Sequence, residues 1–298
     1  MQTVRSDRSP GLVWGRVLLA PKRLDLCATG TGAAMRLHRP LTRRAQVADV
    51  MGRALLRLGV SPRAHVPVPH LEELLTMCAG DVQHLTAFRS SRGDRWIVGV
   101  ADRKAIHTVI KVGRDDDEAL RRECEVYRVL QPTKTVELPR ILWVDERPGW
   151  LAAGLSSLEP GPAPPTLRHV AGVTAEFVGG ALGTPLVHGD LTPWNTATRS
   201  NTLQVWDWEE AELGVSRPLH DLCHFVIRAG ALLGRWTPRQ ATHELTAAGS
   251  AAGFHLDVLG LSVTDAPNYV RDYLTRTRAG DVREQRFRAD ILARLKGA

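Results

Sequence analysis

Apolar and polar positions follow two different rhythms along this chain. From Val82, short β-rich runs succeed one another as "HLTAFRSS", "RWIVGVAD" and "HTVIKVG", separated by "RGD" and "RKAI". Runs of this length between turn residues predict an antiparallel meander. "RDDDEALRRECEVYRVL" then changes to helical spacing. Ala119, Cys124, Tyr127 and Leu130 supply its inward face, and Asp115, Asp116, Asp117 and Glu118 fall in the first turn, where carboxylates meet the positive end of the helix dipole. "PRILWVDE" and "GWLAAGLSSL" read as two further strands.

The proline cluster "EPGPAPP", residues 159–165, marks a hinge. Beyond it come a helix in "TLRHVAGVTAEFVGGAL", the polar run "LVHGDLTPWN", and "LQVWDWEEAELG". After Asp221 the pattern is mostly helical, in "LHDLCHFVIRAGALLGR", "TPRQATHELTAAGSAAG", "APNYVRDYLTRTRA" and "VREQRFRADILARLKGA". Ahead of Val82, an apolar stretch at 11–20 leads to the turn "ATGTGAAM". A helix is predicted over "LTRRAQVADVMGRALLRLG", with Thr42 as N-cap and Gly59 as stop, and a short one over "PHLEELLTMCAG". "TGTG" lacks the glycine spacing and the lysine of a phosphate-binding P-loop, so it reads as a turn. The expected organisation is α+β: an N-terminal section of no assigned role over 1–80, a strand-rich lobe over 81–158 and a mainly helical lobe over 159–298.

Composition narrows this. With 298 residues, 43% of them hydrophobic, the chain has enough apolar material for about two packed units. No apolar run approaches the roughly 20 residues of a membrane span. The first residues lack a continuous signal core, which makes the cytoplasm the expected location. Cys27, Cys78, Cys124 and Cys223 are scattered without a CxxC pair and read as reduced thiols. A net charge of +7 raises a polyanionic partner. The excess is mostly arginine spread along the chain, with no basic block or aromatic platform, so a solvated basic surface is favoured over nucleic-acid binding.

Four stretches carry candidate chemistry. "VHGDLTPWN" sets Asp190 five positions before Asn195, the offset of the H-R-D-x-x-x-x-N loop. "LQVWDWEEAELG" brings an apolar strand to Asp207, "TVIKVG" puts Lys111 on a strand, and "LRREC" puts Glu123 on the helix after it. Phosphoryl transfer needs a carboxylate within reach of the attacking hydroxyl and oxygen ligands that hold a metal against the phosphates. Taken singly, a strand lysine is more often a surface residue, and a helical glutamate among arginines is more often a solvated ion pair.

In this order the stretches resemble the aminoglycoside phosphotransferase and choline kinase type of small-molecule kinase. That resemblance implies a bilobal protein-kinase-like fold, with an antiparallel-sheet N-lobe that binds nucleotide and a helical C-lobe. It implies Asp190 as catalytic base, Asn195 and Asp207 as Mg²⁺ ligands, and Lys111 as the cation for the α- and β-phosphates. Glu123 would be its partner, favoured over Glu125 by register. Ser91 and Gly93, in "SSRGDR", would line a nucleotide loop that has one glycine instead of a G-x-G-x-x-G run. His188 would buttress the catalytic loop, and Asp221 would brace that loop or cap the next helix. ATP or GTP would be the donor and a small hydroxyl-bearing molecule (a sugar, an amino alcohol or an antibiotic) the acceptor. Only 13 residues separate Asp207 from Asp221, too few for a peptide-docking platform. Past Asp221 basic residues outnumber acidic ones, whereas Glu209, Glu210 and Glu212 form an acidic run, so the acceptor stays open. The alternative is an inactive kinase-like scaffold, against which the retained Lys111, Asp190, Asn195 and Asp207 speak. Oligomeric state is not set by the sequence.

Overall fold

The computed structural model describes strands at 14–20, 24–29 and 63–65, and residues 68–78, 82, 84–90, 95–102, 105–158, 164–278 and 280–296. The helix expected between Thr42 and Gly59, the glycines of "TGTG", Ser91, Gly93 and residues 159–163 of the proline cluster lie outside the described residues. The chain divides into two compact units, residues 1–124 with 139–159 and residues 125–138 with 160–298.

In the first unit, cross-strand pairing builds an antiparallel sheet. Its strands are β1 (Trp14–Ala20), β2 (Leu24–Thr29), β3 (Arg63–His65), β4 (His84–Arg89), β5 (Trp96–Ala101), β6 (Ile106–Gly113), β8 (Ile141–Arg147) and β9 (Trp150–Ser156). Their order is β3-β1-β2-β4-β5-β6-β9-β8, so the expected meander β4–β5–β6 sits at its centre. The apolar stretch at 11–20 supplies β1, which enters the sheet through β2 pairing with β4. On one face Val98, Val100, Ile110, Val112 and Trp150 pack with Leu71 and Leu74 of helix α1 (Leu71–Thr76). Leu151 and Ala153 alternate with Trp150 and Ala152, so they face the other way. There they pack with Leu120 and Cys124 of helix α2 (Glu118–Val129).

Helix α2 starts later than its charge pattern predicts. Only Glu118 lies in the first turn. Asp117 Oδ1 accepts the backbone N–H of Leu120 at 2.9 Å, the reach of an N-cap, and Asp115 instead accepts the N–H of Gly149 at 2.8 Å. Leu120, rather than Ala119, takes the buried position.

The second unit is mainly helical. Its helices are α3 (Leu167–Gly179), α4 (His220–Leu233), α5 (Pro238–Thr246), α6 (Ala251–Val258), α7 (Ala266–Arg276) and α8 (Val282–Lys296). The helical pattern over 237–253 is two helices, because Ala247 is extended and Ser250 caps a new start at Gly253 N. Strands β11 (Thr196–Arg199) and β12 (Thr202–Val205) form a hairpin, with β7 (Val136–Glu137) parallel to β12. A second pair joins β10 (Leu186–Val187) to β13 (Glu212–Leu213). Phe177, Trp208, Phe225 and Leu191 are fully buried. Among the described residues no helix is long and apolar enough to cross a membrane.

His255, fully buried on α6, ties three segments of this unit together. Its Nε2 accepts the N–H of Leu219 at 3.3 Å, while Nδ1 lies 3.1 Å from the Ala171 carbonyl and 3.0 Å from the Thr174 hydroxyl. Leu219 N–H can only donate, so Nε2 is bare and Nδ1 carries the proton. A second proton would set N–H against N–H, and burial pushes the imidazole from 6.5 down to about 4. The unfolded chain therefore takes up this proton first as pH falls. The contribution is intact above about pH 6.5 and is lost toward pH 4, on the order of 3 kcal/mol in all. Urea midpoints of the wild type and His255→Gln should accordingly differ most at neutral pH and converge below pH 5 (about one unit above the folded value). A gap that stays constant with pH would show that His255 does not titrate with unfolding.

Candidate active site

In the first unit, period-two alternation decides where Lys111 points. Lys111 pairs across the sheet with Ile97 on β5 and Ala153 on β9, and so shares Ala153's face, the one that α2 covers. Glu123 lies three residues after Leu120 and one before Cys124, on the inward side of α2. The two side chains meet there, with Lys111 Nζ donating to Glu123 Oε1 at 2.7 Å and Oε2 at 2.6 Å. Side-chain exposures are 8% and 1%, so both charges have left water. Desolvation of such a pair offsets much of its attraction, and apolar residues of similar volume would often be as stable. What the pair supplies is a cation at a fixed position. Glu125, the alternative partner, is exposed.

A second ion pair, absent from the sequence-based expectations, sets the position of α2. Arg95 donates from Nε and Nη2 to the two carboxylate oxygens of Asp117, at 2.8 and 2.6 Å. Burial would raise Asp117, but the Arg95 fork and the Leu120 N–H outweigh it and hold the carboxyl below its ordinary value. A Cβ at Gly113, where β6 ends, would stand 2.3 Å from Asp117 Oδ2, so glycine is what lets the helix start approach the strand.

In the second unit, "VHGDLTPWN" leaves β10 and is held from three sides. Asp221, in the first turn of α4, accepts the N–H of His188 at 2.8 Å and of Gly189 at 3.0 Å. His188 is fully buried, and its Nδ1 accepts the N–H of Asp190 at 3.3 Å. Nε2 therefore carries the proton and donates to the Trp206 carbonyl at 3.1 Å. Burial lowers the pKa of His188 against the pull of Asp221 and Asp190, which suits a neutral buttress. Asn195 closes the loop, with Nδ2 donating to the Asp190 carbonyl at 3.0 Å and to Oδ2 at 3.1 Å. Both partners are acceptors, so the amide nitrogen must face them and Oδ1 is turned elsewhere.

The hairpin β11–β12 brings Asp207 to the same end. Thr196 pairs with Val205, and Trp206 N–H donates to the Asn195 carbonyl at 3.2 Å, so Asp207 follows the residue opposite Asn195. Its backbone is left-handed, φ 69°. Trp208 anchors the chain on the far side of Asp207, its ring centroid 4.3 Å from that of His188 and 5.4 Å from that of Phe177. The sequence-derived residues thus fall into two groups, Lys111 with Glu123 and Asp190 with Asn195 and Asp207.

One contact of the loop was not anticipated. Asp190 Oδ1 lies 3.0 Å from Nε2 of His224, whose Nδ1 lies 3.0 Å from the Tyr273 hydroxyl. The only signal in the sequence is a histidine one turn after Asp221. Nothing marks Tyr273.

No protein-family model matches the chain, and no curated protein matches it. Among solved structures it is similar to monomeric WbdD at 13% identity, over 57% of this chain and 45% of that one, with a TM-score of 0.39. The chain thus spans about half the length of the WbdD chains it matches. It is also similar to a thermostable mutant of aminoglycoside phosphotransferase APH(4)-Ia in ternary complex with AMP-PNP and hygromycin B, at 15% identity over 76% and 99% of the two chains, TM-score 0.43. A third is the amicoumacin kinase hAmiN in complex with AMP-PNP, Ca²⁺ and Ami, at 10% identity over 70% and 88%, TM-score 0.45. What the chain can do is read from its own residues.

Gly189 leaves no room for a side chain in the loop. Its φ is +83°, and an added Cβ would sit 2.4 Å from the backbone oxygen of Glu210. The left-handed backbone costs an alanine about 1–2 kcal/mol, and the overlap with a backbone atom adds about 1–3 kcal/mol. Gly214, at φ +72° with nothing within 4 Å of its Cβ, carries the first cost alone. Urea unfolding should therefore rank Gly189→Ala below Gly214→Ala by at least about 1 kcal/mol. Equal losses would mean that the loop moves freely away from Glu210.

Proposed function

We propose that this chain is a phosphotransferase that moves the γ-phosphate of ATP or GTP to a hydroxyl of a small molecule. The observation that carries the proposal is Asp190. Its carboxylate is held by Asn195 and by His224 while 28% of the side chain stays exposed. A general base needs this combination of fixed direction and access.

The donor set fits Mg²⁺. Asn195 Oδ1 and the Asp207 carboxylate are hard oxygen donors, on residues whose backbones the β11–β12 hairpin brings to one end. Among the described residues no cluster of three or more His, Cys, Asp or Glu could hold a metal by itself. That suits Mg²⁺, which usually takes one or two protein ligands and completes its shell with water and substrate phosphates. When bound, the ion would neutralise charge on the β- and γ-phosphate oxygens. Asp190 takes the proton of the acceptor hydroxyl as that oxygen attacks the γ-phosphorus, and the bond to the β–γ bridging oxygen breaks to release the nucleoside diphosphate. Lys111, oriented by Glu123, is the cation for the α- and β-phosphates.

A small acceptor is supported by how the 13 residues between Asp207 and Asp221 are used. Glu212 and Leu213 pair as β13 with β10, and Glu212 binds Arg217 through two hydrogen bonds of 2.6 and 2.8 Å. Little chain is left to dock a peptide. Sugars, amino alcohols and antibiotics are the acceptor classes to assay. The location we propose is the cytoplasm, supported by the scattered cysteines of the sequence, which form no CxxC pair.

Two measurements test this. MgATP or MgGTP should raise the melting temperature of the wild type, and a panel of hydroxyl compounds should reveal phosphate transfer. Asp190→Ala should lower turnover by about 10²–10⁴-fold while leaving the nucleotide-dependent shift in place. A wild type that is shifted by nucleotide yet transfers phosphate to nothing and hydrolyses nothing would favour the scaffold instead. Full activity in Asp190→Ala would remove the assignment of the base.

A further inference from the structure

His224 takes no proton and touches no phosphate in the proposed chemistry, yet it is aimed at the proposed base. It lies on α4 one turn beyond Asp221, its side chain only 10% exposed, with Nε2 3.0 Å from Asp190 Oδ1. On its other side Nδ1 meets the hydroxyl of Tyr273 from α7 at 3.0 Å, and the two rings stand edge to face at 86°. Tyr273 is 2% exposed, and burial pushes its phenol above the ordinary value, so it remains an O–H donor.

These contacts fix the imidazole. An ionised Asp190 only accepts, so Nε2 must carry the proton that lies between them. In the neutral imidazole Nδ1 is then bare, and the one hydrogen Tyr273 can give goes to it. Asp190 is thereby gripped at both oxygens, with His224 Nε2–H on Oδ1 and Asn195 Nδ2–H on Oδ2. Rotation of the carboxylate about its last bond would break both hydrogen bonds at once. Each oxygen keeps further lone pairs, so the grip leaves room to accept a proton from a hydroxyl.

We infer that His224 is a positioning residue for Asp190 and that Tyr273 selects its working tautomer. The inference rests on the phosphotransferase reading for its catalytic meaning, but the hydrogen-bond chain can be tested without it. A buried histidine that merely fills the core would satisfy its nitrogens wherever partners lay and would leave turnover indifferent to its replacement.

The chain is tested first with its histidines ¹⁵N-labelled. His224 should show a protonated Nε2 and a bare Nδ1. Asp190→Asn should move the Nε2 resonance, and Tyr273→Phe, which keeps the ring but loses the donor, should mix the tautomers. MgATP hydrolysis, with water as acceptor, supplies the second readout. His224→Phe should lower kcat by about ten- to hundredfold with KM for MgATP within about twofold. His224→Gln, whose amide nitrogen can still donate to Asp190, should recover most of that loss, and Tyr273→Phe should fall between. If His224→Phe does not fold, Tyr273→Phe carries the kinetic test. Wild-type kcat in His224→Phe, or equal loss in Phe and Gln variants that melt like the wild type, overturns the inference. If the wild type hydrolyses no MgATP, water is not an acceptor, and the phosphotransferase reading is decided by the panel of hydroxyl compounds. The contact is then judged by the spectrum alone, and an Nε2 resonance indifferent to Asp190→Asn overturns it.

Discussion

Asp221 accepts two backbone N–H groups, those of His188 and Gly189, and the polar loop from His188 to Asn195 is built on that pair. Asp221 is 4% exposed, so without its carboxylate the buried His188 N–H would be left unsatisfied at about 1–3 kcal/mol, and the half-buried Gly189 N–H would lose its partner. Its helix, α4, contributes twice. Asp221 fixes the loop's backbone, and His224, three residues on and therefore on the same helix face, reaches the side chain of Asp190. Backbone and carboxylate are thus referred to one rigid element rather than to each other. His188 adds the link to the neighbouring strand, taking the Asp190 N–H on one nitrogen and giving its proton to the Trp206 carbonyl on the other.

The first unit solves a different problem. Lys111 projects from the middle of an apolar sheet, and strand alternation alone would leave its charge against Leu120 and Cys124 of α2. Glu123 answers the charge only if the helix is held at one rotation and one height. The Arg95–Asp117 fork does this, because Asp117 both caps α2 and bonds the residue just ahead of β5. A mispositioned helix would leave an uncompensated buried charge, which costs far more than the pair itself returns.

These two arrangements were unequally legible in the sequence. The meander β4–β5–β6 could be read because its runs are short, β-rich and bounded by turn residues. Helix α2 could be placed, but not its first residue, since dipole and capping arguments both put carboxylates at a helix start and spacing does not separate them. Asp190, Asn195 and Asp207 stood out through a motif whose spacing reflects a hairpin, and the pairing of Thr196 with Val205 is what makes that spacing meaningful. His224 and Tyr273 stand 34 and 49 positions from the groups they bond, with no periodicity connecting them. Such contacts are products of helix packing, and a lone histidine on an amphipathic helix reads as core until its neighbours are known. Alanine, glycine and serine over 247–253 hid the break between α5 and α6 for a related reason. Their side chains are too small to declare a face.

Asp207 shows how the two kinds of information combine. A non-glycine residue at φ 69° is uncommon, although aspartate tolerates this region better than most because its short side chain can bond locally. The turn persists because both neighbours are pinned. Trp206 donates its N–H to Asn195 and lends its carbonyl to His188, and Trp208 is fully buried between the rings of His188 and Phe177. With the flanks fixed, Asp207 cannot relax into an extended conformation without pulling a tryptophan out of the core. The Asp-Trp-Glu triplet therefore works as a unit, in which the apolar residue holds the backbone geometry that the acidic residue before it needs.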